Sequence, residues 1–321
     1  MEASYILPIR TDTPAPDELI SYVRDLASRC EVIVVDGSSA PVFASFGARC
    51  GAAVRHVRPD VAFSTLANGK VAGVMTGLRL ASHDRIVVAD DDVRYDTEAL
   101  ERVVCALGDA EVVRPQNYFD PLPWHARVDT ARSLINRVTG GDWPGTLAVR
   151  RSVLLRTGGY DGNVLFENLE LVRTVLAAGG RESAPRDLYV RRLPPTSDHF
   201  VSQRVRQAYD EIARPLRLAA WLSLLPLFSV VARAGGARAV TSVLALFIVP
   251  AEIGRRIGGG TRVFPATTAV VAPVWICERA LTAWLAVGAR AVLGGVPYRG
   301  RILRTAATPM RKLRRRHAPR G

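Results

Sequence analysis

The sequence predicts an α/β domain with a mostly parallel sheet, followed by C-terminal membrane helices. Continuous β-branched runs, Val32-Ile33-Val34-Val35 and Ile86-Val87-Val88, suggest strands buried on both faces. They alternate with helical patterns of about ten to fifteen residues, the rhythm of strand–helix–strand units. After Pro215 the composition turns apolar, and 218–232, 239–251 and 263–277 carry no charge.

The elements follow in order. Residues 4–9 read as a buried strand that leads into a Pro-rich loop at 11–16. Asp17 caps a helix through about Ser28, with Leu19, Ile20, Val23 and Leu26 as its apolar face. The run 31–35 is the second strand and ends in Asp36-Gly37-Ser38-Ser39. A short strand at 53–57, a helix over 66–81 and a strand at 85–89 come next, the last ending in Asp90-Asp91-Asp92. A helix over 97–107 and a strand at 111–114 complete the series. In open sheets of this type ligands bind beyond the carboxyl ends of the strands, where Asp36 and Asp90 to Asp92 stand.

The chain has 321 residues, 48% of them hydrophobic. That is too aliphatic for general disorder and long enough for one large or two modest domains. Cys30, Cys50, Cys105 and Cys277 stand far apart, which argues against a disulfide scaffold and a cysteine zinc site and for a reducing compartment. Glu2 and the lack of a basic-then-apolar run argue against a signal peptide. The formal charge of +13 is informative once split. Residues 213–321 hold 18 basic and two acidic side chains, a net of +16, and the other 25 basic and 28 acidic side chains net −3.

None of the apolar segments alone reaches the roughly 18–20 residues of a spanning helix, but snorkelling arginines extend them. Segments 216–234 and 237–254 are then expected to cross the membrane, joined at Gly235-Gly236. Segment 265–293 is expected to lie in the interface, because Arg279, Ala283, Ala286 and Arg290 share one helical face opposite a more apolar one. A buried helical subdomain is the soluble alternative. Residues 299–321 carry nine basic side chains and no acidic one, so the positive-inside rule keeps them cytosolic. An anionic membrane surface is their expected partner. Their place beside apolar segments, with Tyr298 the only neighbouring aromatic, argues against nucleic acid. The expected organisation is a catalytic domain at 1–212, a membrane region at 213–298 and a basic tail at 299–321. A multi-pass protein of the inner or plasma membrane is expected, with catalytic domain and tail in the cytosol.

Three successive carboxylates at a strand end repel one another unless a cation or hydrogen bonds compensate. Mg2+ or Mn2+ shared with substrate phosphates is the fitting cation, since hard divalents take one or two carboxylates plus phosphate oxygens. A solvated Asp-rich turn is the plain alternative.

The ordered series of motifs resembles the family 2 glycosyltransferases of the GT-A fold. Pro8 in the first strand, Val35-Asp36-Gly37-Ser38-Ser39 and Asn68-Gly69-Lys70 look like that family's nucleotide-binding half. Asp90-Asp91-Asp92 looks like its D-x-D metal motif. Gly145-Thr146-Leu147-Ala148-Val149-Arg150-Arg151, followed by Gly158-Gly159-Tyr160, is similar to the stretch before its catalytic carboxylate. Phe166-Glu167-Asn168-Leu169-Glu170 falls where the family shows an E-D dipeptide. Gln203-Arg204-Val205-Arg206 looks like the start of the Q-x-x-R-W motif of membrane-bound members. These members include ceramide and hopanoid glucosyltransferases and polysaccharide synthases. The resemblance runs from about residue 4 to about residue 212.

It implies a GT-A, nucleotide-diphospho-sugar transferase fold. It also implies metal-dependent, inverting hexosyl transfer from a nucleotide-sugar to a lipid or lipid-linked acceptor. UDP is the family-weighted nucleotide and GDP the alternative. Pro8, Arg10, Asp36, Ser38, Lys70, Asp90 and Asp91 are then expected at the nucleotide-sugar, and Asp90 and Asp92 at Mg2+ or Mn2+. Trp143, His199, Gln203, Arg204 and Arg206 are expected on the acceptor and diphosphate side. Two departures bear on mechanism. Asn168 stands where the family has an acid, and an amide cannot accept the proton. The base is then Glu167, Glu170 or Asp142, or none is needed because the acceptor is already ionised. Otherwise the chain is a nucleotide-sugar-binding membrane scaffold that has lost catalysis. Gln207 stands where a tryptophan is expected, which weakens the analogy to enzymes that extend polysaccharide chains.

Overall fold

The computed structural model describes residues 1–298 and 301–317. Arg299, Gly300 and residues 318–321 of the expected basic tail lie outside the described residues. In chain order the first half contains β1 (Ser4–Ile9), α1 (Asp17–Ala27), β2 (Glu31–Asp36), α2 (Ala40–Cys50), β3 (Val54–Val57), α3 (Gly69–Leu80) and β4 (Arg85–Ala89). There follow α4 (Thr97–Cys105), β5 (Val112–Val113), α5 (Trp124–Val138), β6 (Thr146–Arg150), α6 (Glu167–Ala177) and β7 (Glu182–Ser183). The last third is helical in the main: α7 (Ser197–Tyr209), α8 (Pro215–Ala245), α9 (Ile248–Arg256), α10 (Ala272–Leu293) and α11 (Met310–His317).

Two units emerge. Unit 1 comprises Met1–Pro115, Pro144–Val190 and the chain from Thr308 on, and unit 2 comprises Gln116–Trp143 and Arg191–Ala307. This differs from boundaries at 212 and 298 in two ways. Residues 116–143 and 191–212 group with the apolar helices, and the end of the tail groups with unit 1.

Unit 1 is built on a seven-stranded sheet of order β3-β2-β1-β4-β6-β5-β7. β1 pairs in parallel with β2 and with β4, and β2 in parallel with β3. β6 runs antiparallel between β4 and β5, so the sheet is mostly parallel. The β-branched runs behave as expected, with Val32 to Val35 and Ile86 to Val88 buried. On one face α1 and α4 cover Tyr5, Leu7, Val32, Val34 and Val87 with Leu19, Val23, Leu26, Leu100 and Val103.

On the other face α3 lies close against β1. A Cβ at Gly73 would stand 2.7 Å from Pro8 Cβ, and one at Gly77 2.5 Å from Ile6 Cγ2. Only glycine permits that approach, and it brings the first turn of α3, with Lys70, over the strand ends.

The tail is not a free extension. Leu313 of α11 is 1% exposed, while Arg311, Lys312, Arg314, Arg315 and Arg316 remain at the surface. α11 packs on α6. The preceding Thr308 donates its N–H to buried Glu170 at 2.6 Å and accepts from Arg173 at 3.2 Å. One apolar side chain and one buried acceptor therefore fix a segment whose composition suggested only a solvated anchor.

In unit 2 the residues Pro215–Arg262 are, among the described residues, one stretch long and apolar enough to cross a membrane. The mean hydropathy of its best window is 1.6, with only 6% of that window buried. α8 leaves helical geometry at Gly236 (φ 66°, ψ −165°). The two crossings expected at 216–234 and 237–254 thus form one run, and a multi-pass topology finds no support in it.

α10 corrects a second expectation. Its Arg279, Ala283 and Ala286 face is buried within the unit, and Val274, Leu281, Leu285 and Val292 are the exposed side. Small alanines let that face pack closely against neighbouring helices, which leaves the bulkier apolar side outward.

Candidate active site

The residues that follow β2 and β4 lie at the same edge of the sheet because both strands run parallel to β1. The register places Ile9 opposite Asp36 at the end of β2. Neighbouring strands are about 4.8 Å apart, so Asp36 and Asp90, one strand either side of β1, are separated by about 10 Å. That is the span from a nucleoside to its diphosphate.

Asp36 is fully buried, and its Oδ1 accepts the Ser38 N–H at 2.8 Å. Its Oδ2 meets His56 Nε2 at 3.1 Å. Ser38 in turn accepts the Thr11 N–H through Oγ at 2.9 Å, and Arg58 donates to the Ser38 carbonyl. Arg10 is exposed at the end of β1, and Pro8 is half-buried within it. The ring of His56 stacks on Phe43 at 4.0 Å, and the Arg58 guanidinium lies 4.0 Å from the Phe43 centroid. His56, Phe43 and Arg58 were not legible as site residues. β3 and α2 carry no motif, and only the pairing of β3 with β2 brings His56 beside Asp36.

The second cluster unites three distant parts of the chain. Lys70 Nζ lies 2.6 Å from Asp90 Oδ1 and 2.9 Å from Glu167 Oε1. The three side chains are 17%, 27% and 14% exposed, so they meet at the border between core and solvent. Lys70 is held there by Asn68, which caps α3 by accepting the Lys70 N–H at 3.0 Å. Burial alone would weaken the ammonium, but Asp90 and Glu167 overcome it and hold the Lys70 pKa well above its ordinary value. Asp90 is positioned through its own backbone. Its N–H donates to Gly145 at 2.8 Å, and its carbonyl accepts the Val93 N–H at 3.1 Å to close the turn.

Asp91 still reaches solvent, yet neighbouring atoms and the charges of Asp92 and Asp90 hold its carboxyl above the ordinary range. Tyr160 of the Gly158-Gly159-Tyr160 turn belongs to this cluster. Burial raises its hydroxyl pKa far above the usual value, Lys70 opposes the rise, and Glu167 and Asp90 add to it.

Asp90, Asp91, Asp92 and Glu167 set four carboxylates against the one ammonium of Lys70. Among the described residues no three His, Cys, Asp or Glu side chains gather as a complete ligand set. A divalent ion there would take its remaining ligands from substrate phosphate, the mode Mg2+ and Mn2+ favour. The residues present fit such an ion, with Asp90 and Asp92 as its carboxylates.

The three candidate bases are placed differently. Glu167 opens α6 beside Lys70. Asn168, next to it, donates to the Pro144 carbonyl at 3.1 Å and so ties α6 to the start of β6. Glu170 is bound to the tail at Thr308. Asp142, in unit 2, is buried and accepts from Arg132 at 2.6 Å, Ser133 at 2.5 Å and Asn136 at 3.0 Å. Both its oxygens are committed to holding α5.

The residues expected on the acceptor and diphosphate side also lie in unit 2. Gln203 accepts from Arg206 at 2.8 Å, as their i,i+3 spacing on α7 allows, and Arg206 stacks 4.7 Å from the Tyr298 centroid. His199 is exposed in the first turn of α7, and Trp143 is half-buried. Arg204 points inward, bound to Asp129 at 3.1 Å, Gln207 at 2.9 Å and Glu278 at 2.6 Å. It is a structural node rather than a surface group, and Gln207 serves it.

Residues 14–147 match the family model for glycosyl transferase family 2. That stretch is a glycosyl transferase family 2 domain. Among solved structures the chain is similar to the mannosyltransferase PcManGT from Pyrobaculum calidifontis in complex with GDP-Man and Mn2+. The two share 18% identity with a TM-score of 0.53, over 88% of this chain and 87% of that one. At that identity the likeness concerns the fold, and the fold of the glycosyltransferase is GT-A. No curated protein sequence gives a match.

Proposed function

We propose that the glycosyltransferase moves a sugar from a nucleotide-sugar donor to a lipid or lipid-linked acceptor at the cytosolic face of a membrane, with inversion. The Lys70, Asp90 and Glu167 cluster at the strand ends carries this reading, because it sets a cation and two carboxylates where a diphosphate and an attacking hydroxyl would meet.

Asp36 accepts from the nucleoside and is oriented by Ser38 and His56. Asp90 and Asp92 hold Mg2+ or Mn2+, which when bound neutralises charge on the departing diphosphate. Lys70 donates to Glu167 Oε1 at 2.9 Å and orients the carboxylate. Glu167 Oε2 then takes the acceptor proton as the hydroxyl attacks the anomeric carbon. The membrane reading draws support from the exposed apolar run at Pro215–Arg262 and the outward side chains of α10. The neighbour's ligand makes GDP-mannose the first donor to try, with UDP-sugars beside it.

A second reading is a scaffold that binds the donor without transfer. It is favoured by Asn168 and by the Lys70 contact that engages Glu167. The test is transfer to extracted lipids by the purified full chain with Mn2+ and each donor. We expect EDTA-sensitive transfer that falls about 100-fold or more in Asp92→Ala. Unchanged transfer in that variant rejects the metal assignment, and donor-induced stabilisation without transfer to any extract establishes the scaffold.

A further inference from the structure

Unit 2 buries more cations than its neighbouring carboxylates engage. Arg132 is shared between Asp129 and Asp142, and Arg204 between Asp129 and Glu278. Arg279, on α10, is 2% exposed, and neither its Nε nor its Nη1 reaches an acceptor among the described residues. The two carboxylates that act on it electrostatically each pair with another arginine and make no hydrogen bond with Arg279 among the described residues, although Glu211 Oε2 carries no hydrogen bond of its own. Glu278 accepts from Arg204 at 2.6 Å and from Thr282 at 3.0 Å. Glu211 accepts from Arg214 at 3.0 Å and faces Arg217 at 3.4 Å. Burial pulls the Arg279 guanidinium down to about 10, with Glu278 and Glu211 opposing and Arg204 and Arg132 adding to the pull. It therefore stays charged at neutral pH.

Its neighbours add donors but no acceptors. The guanidinium lies 5.6 Å from the Trp275 ring, which meets the Trp221 ring edge-on at 5.3 Å. Neither indole N–H has an acceptor among the described residues. Arg217 in turn lies 5.9 Å from the Trp221 ring. Arg217 and Trp221 are i,i+4 on α8, and Trp275 and Arg279 are i,i+4 on α10, so each helix turns one Arg–Trp pair toward the other. A buried charge without a counter-ion is strongly unfavourable. A guanidinium flanked by N–H donors complements an oxyanion with several lone pairs, above all a phosphate.

We propose that Arg279, with the indole N–H groups of Trp221 and Trp275, receives the phosphate of a lipid headgroup. A lipid is the source because α8 belongs to the apolar, exposed run at Pro215–Arg262. The inference rests on the membrane reading of that run and is independent of the nucleotide site.

The test uses the full chain in nonionic detergent, with the thermal unfolding midpoint as readout. The probes are a polyisoprenyl monophosphate, phosphatidic acid, and their neutral counterparts polyisoprenol and diacylglycerol. One or both phosphate-bearing lipids should raise the midpoint, the neutral ones should not, and the stronger of the two identifies the source. Arg279→Met should weaken the lipid effect at least tenfold while leaving the lipid-free midpoint unchanged or higher, because an apolar chain replaces an unpaired cation. Arg279→Lys should restore part of the binding. Trp221→Phe with Trp275→Phe keeps the rings, removes the donors and should weaken binding several-fold. This pair decides the matter if Arg279→Met does not fold. Equal effects of phosphate and neutral lipids, or a full lipid effect in Arg279→Met, overturn the proposal. GDP or UDP with Mn2+, measured on the same samples, should stabilise parent and Arg279→Met alike. A parent that ignores both nucleotides counts against the transferase reading alone.

Discussion

Unit 1 gathers its functional charges at the open ends of strands, whereas unit 2 buries its charges between helices. In the first, Asp90 and Glu167 flank the Lys70 ammonium at the border of solvent, with Asp91 and Asp92 following Asp90 in the chain. In the second, Arg132 and Arg204 are paired with Asp129, Asp142 and Glu278, and because Arg204, Asp129 and Asp142 are little exposed, losing a partner leaves a buried charge. A cluster rich in acid suits a transient cation, and the closely paired arginines and carboxylates of unit 2 suit the fixing of α5, α7 and α10.

The sharpest break in that comparison is expected from Glu167→Gln. If the border cluster does the chemistry on a neutral hydroxyl, turnover should fall about 10²–10⁴-fold with the donor KM nearly unchanged. Steady-state kinetics at saturating donor reads this directly, and an unchanged rate would mean an acceptor that is already ionised. Next in size is Arg204→Met in unit 2. It strips Glu278 of its cation and Asp129 of one of two, and should cost about 3–5 kcal/mol in denaturant unfolding. Donor binding in unit 1 is the control that should survive where the protein stays folded.

The smallest effect is a contrast in pH dependence. Burial alone would raise the Asp129 carboxyl, but Arg132 and Arg204 outweigh burial and hold it well below its ordinary value. Its stabilisation is therefore complete above the unfolded value of about 3.9 and is lost as pH falls below it. Glu170 has the opposite sign. Burial raises its carboxyl against the opposing Thr308 hydrogen bond, so its contribution is complete below about pH 4.3 and shrinks as pH rises through its folded value. Unfolding midpoints from pH 3 to 6 should show a shallower acid limb for Asp129→Asn and a steeper one for Glu170→Gln.

Much of unit 1 was legible in the sequence. β1, β2, α3 and β4 fall within a few residues of their expected places, because β-branched runs and amphipathic stretches are local signals. The antiparallel insertion of β6 was not legible, since Thr146–Arg150 reads the same in either direction. In the site, Lys70 and Asp90 were singled out by motif, and so was Glu167. Their shared ion pair was not, and neither was the His56–Asp36 contact, which depends on strand pairing. In unit 2 the apolar run was plain, but the buried ion pairs that engage the site candidates Arg204 and Asp142 were not.

By itself the sequence determined which residues end the parallel strands, and therefore that Asp36 and Asp90 share one edge. Once β1, β2 and β4 pair in parallel, no other arrangement is left. The tertiary structure alone decided which carboxylates Lys70 joins, where Leu313 finds cover and which way Arg279 points. Periodicity shows that a helix has two faces but not which face meets protein and which meets solvent or lipid. For α10 that choice fell to close packing by Ala283 and Ala286, which carried Arg279 inside with them.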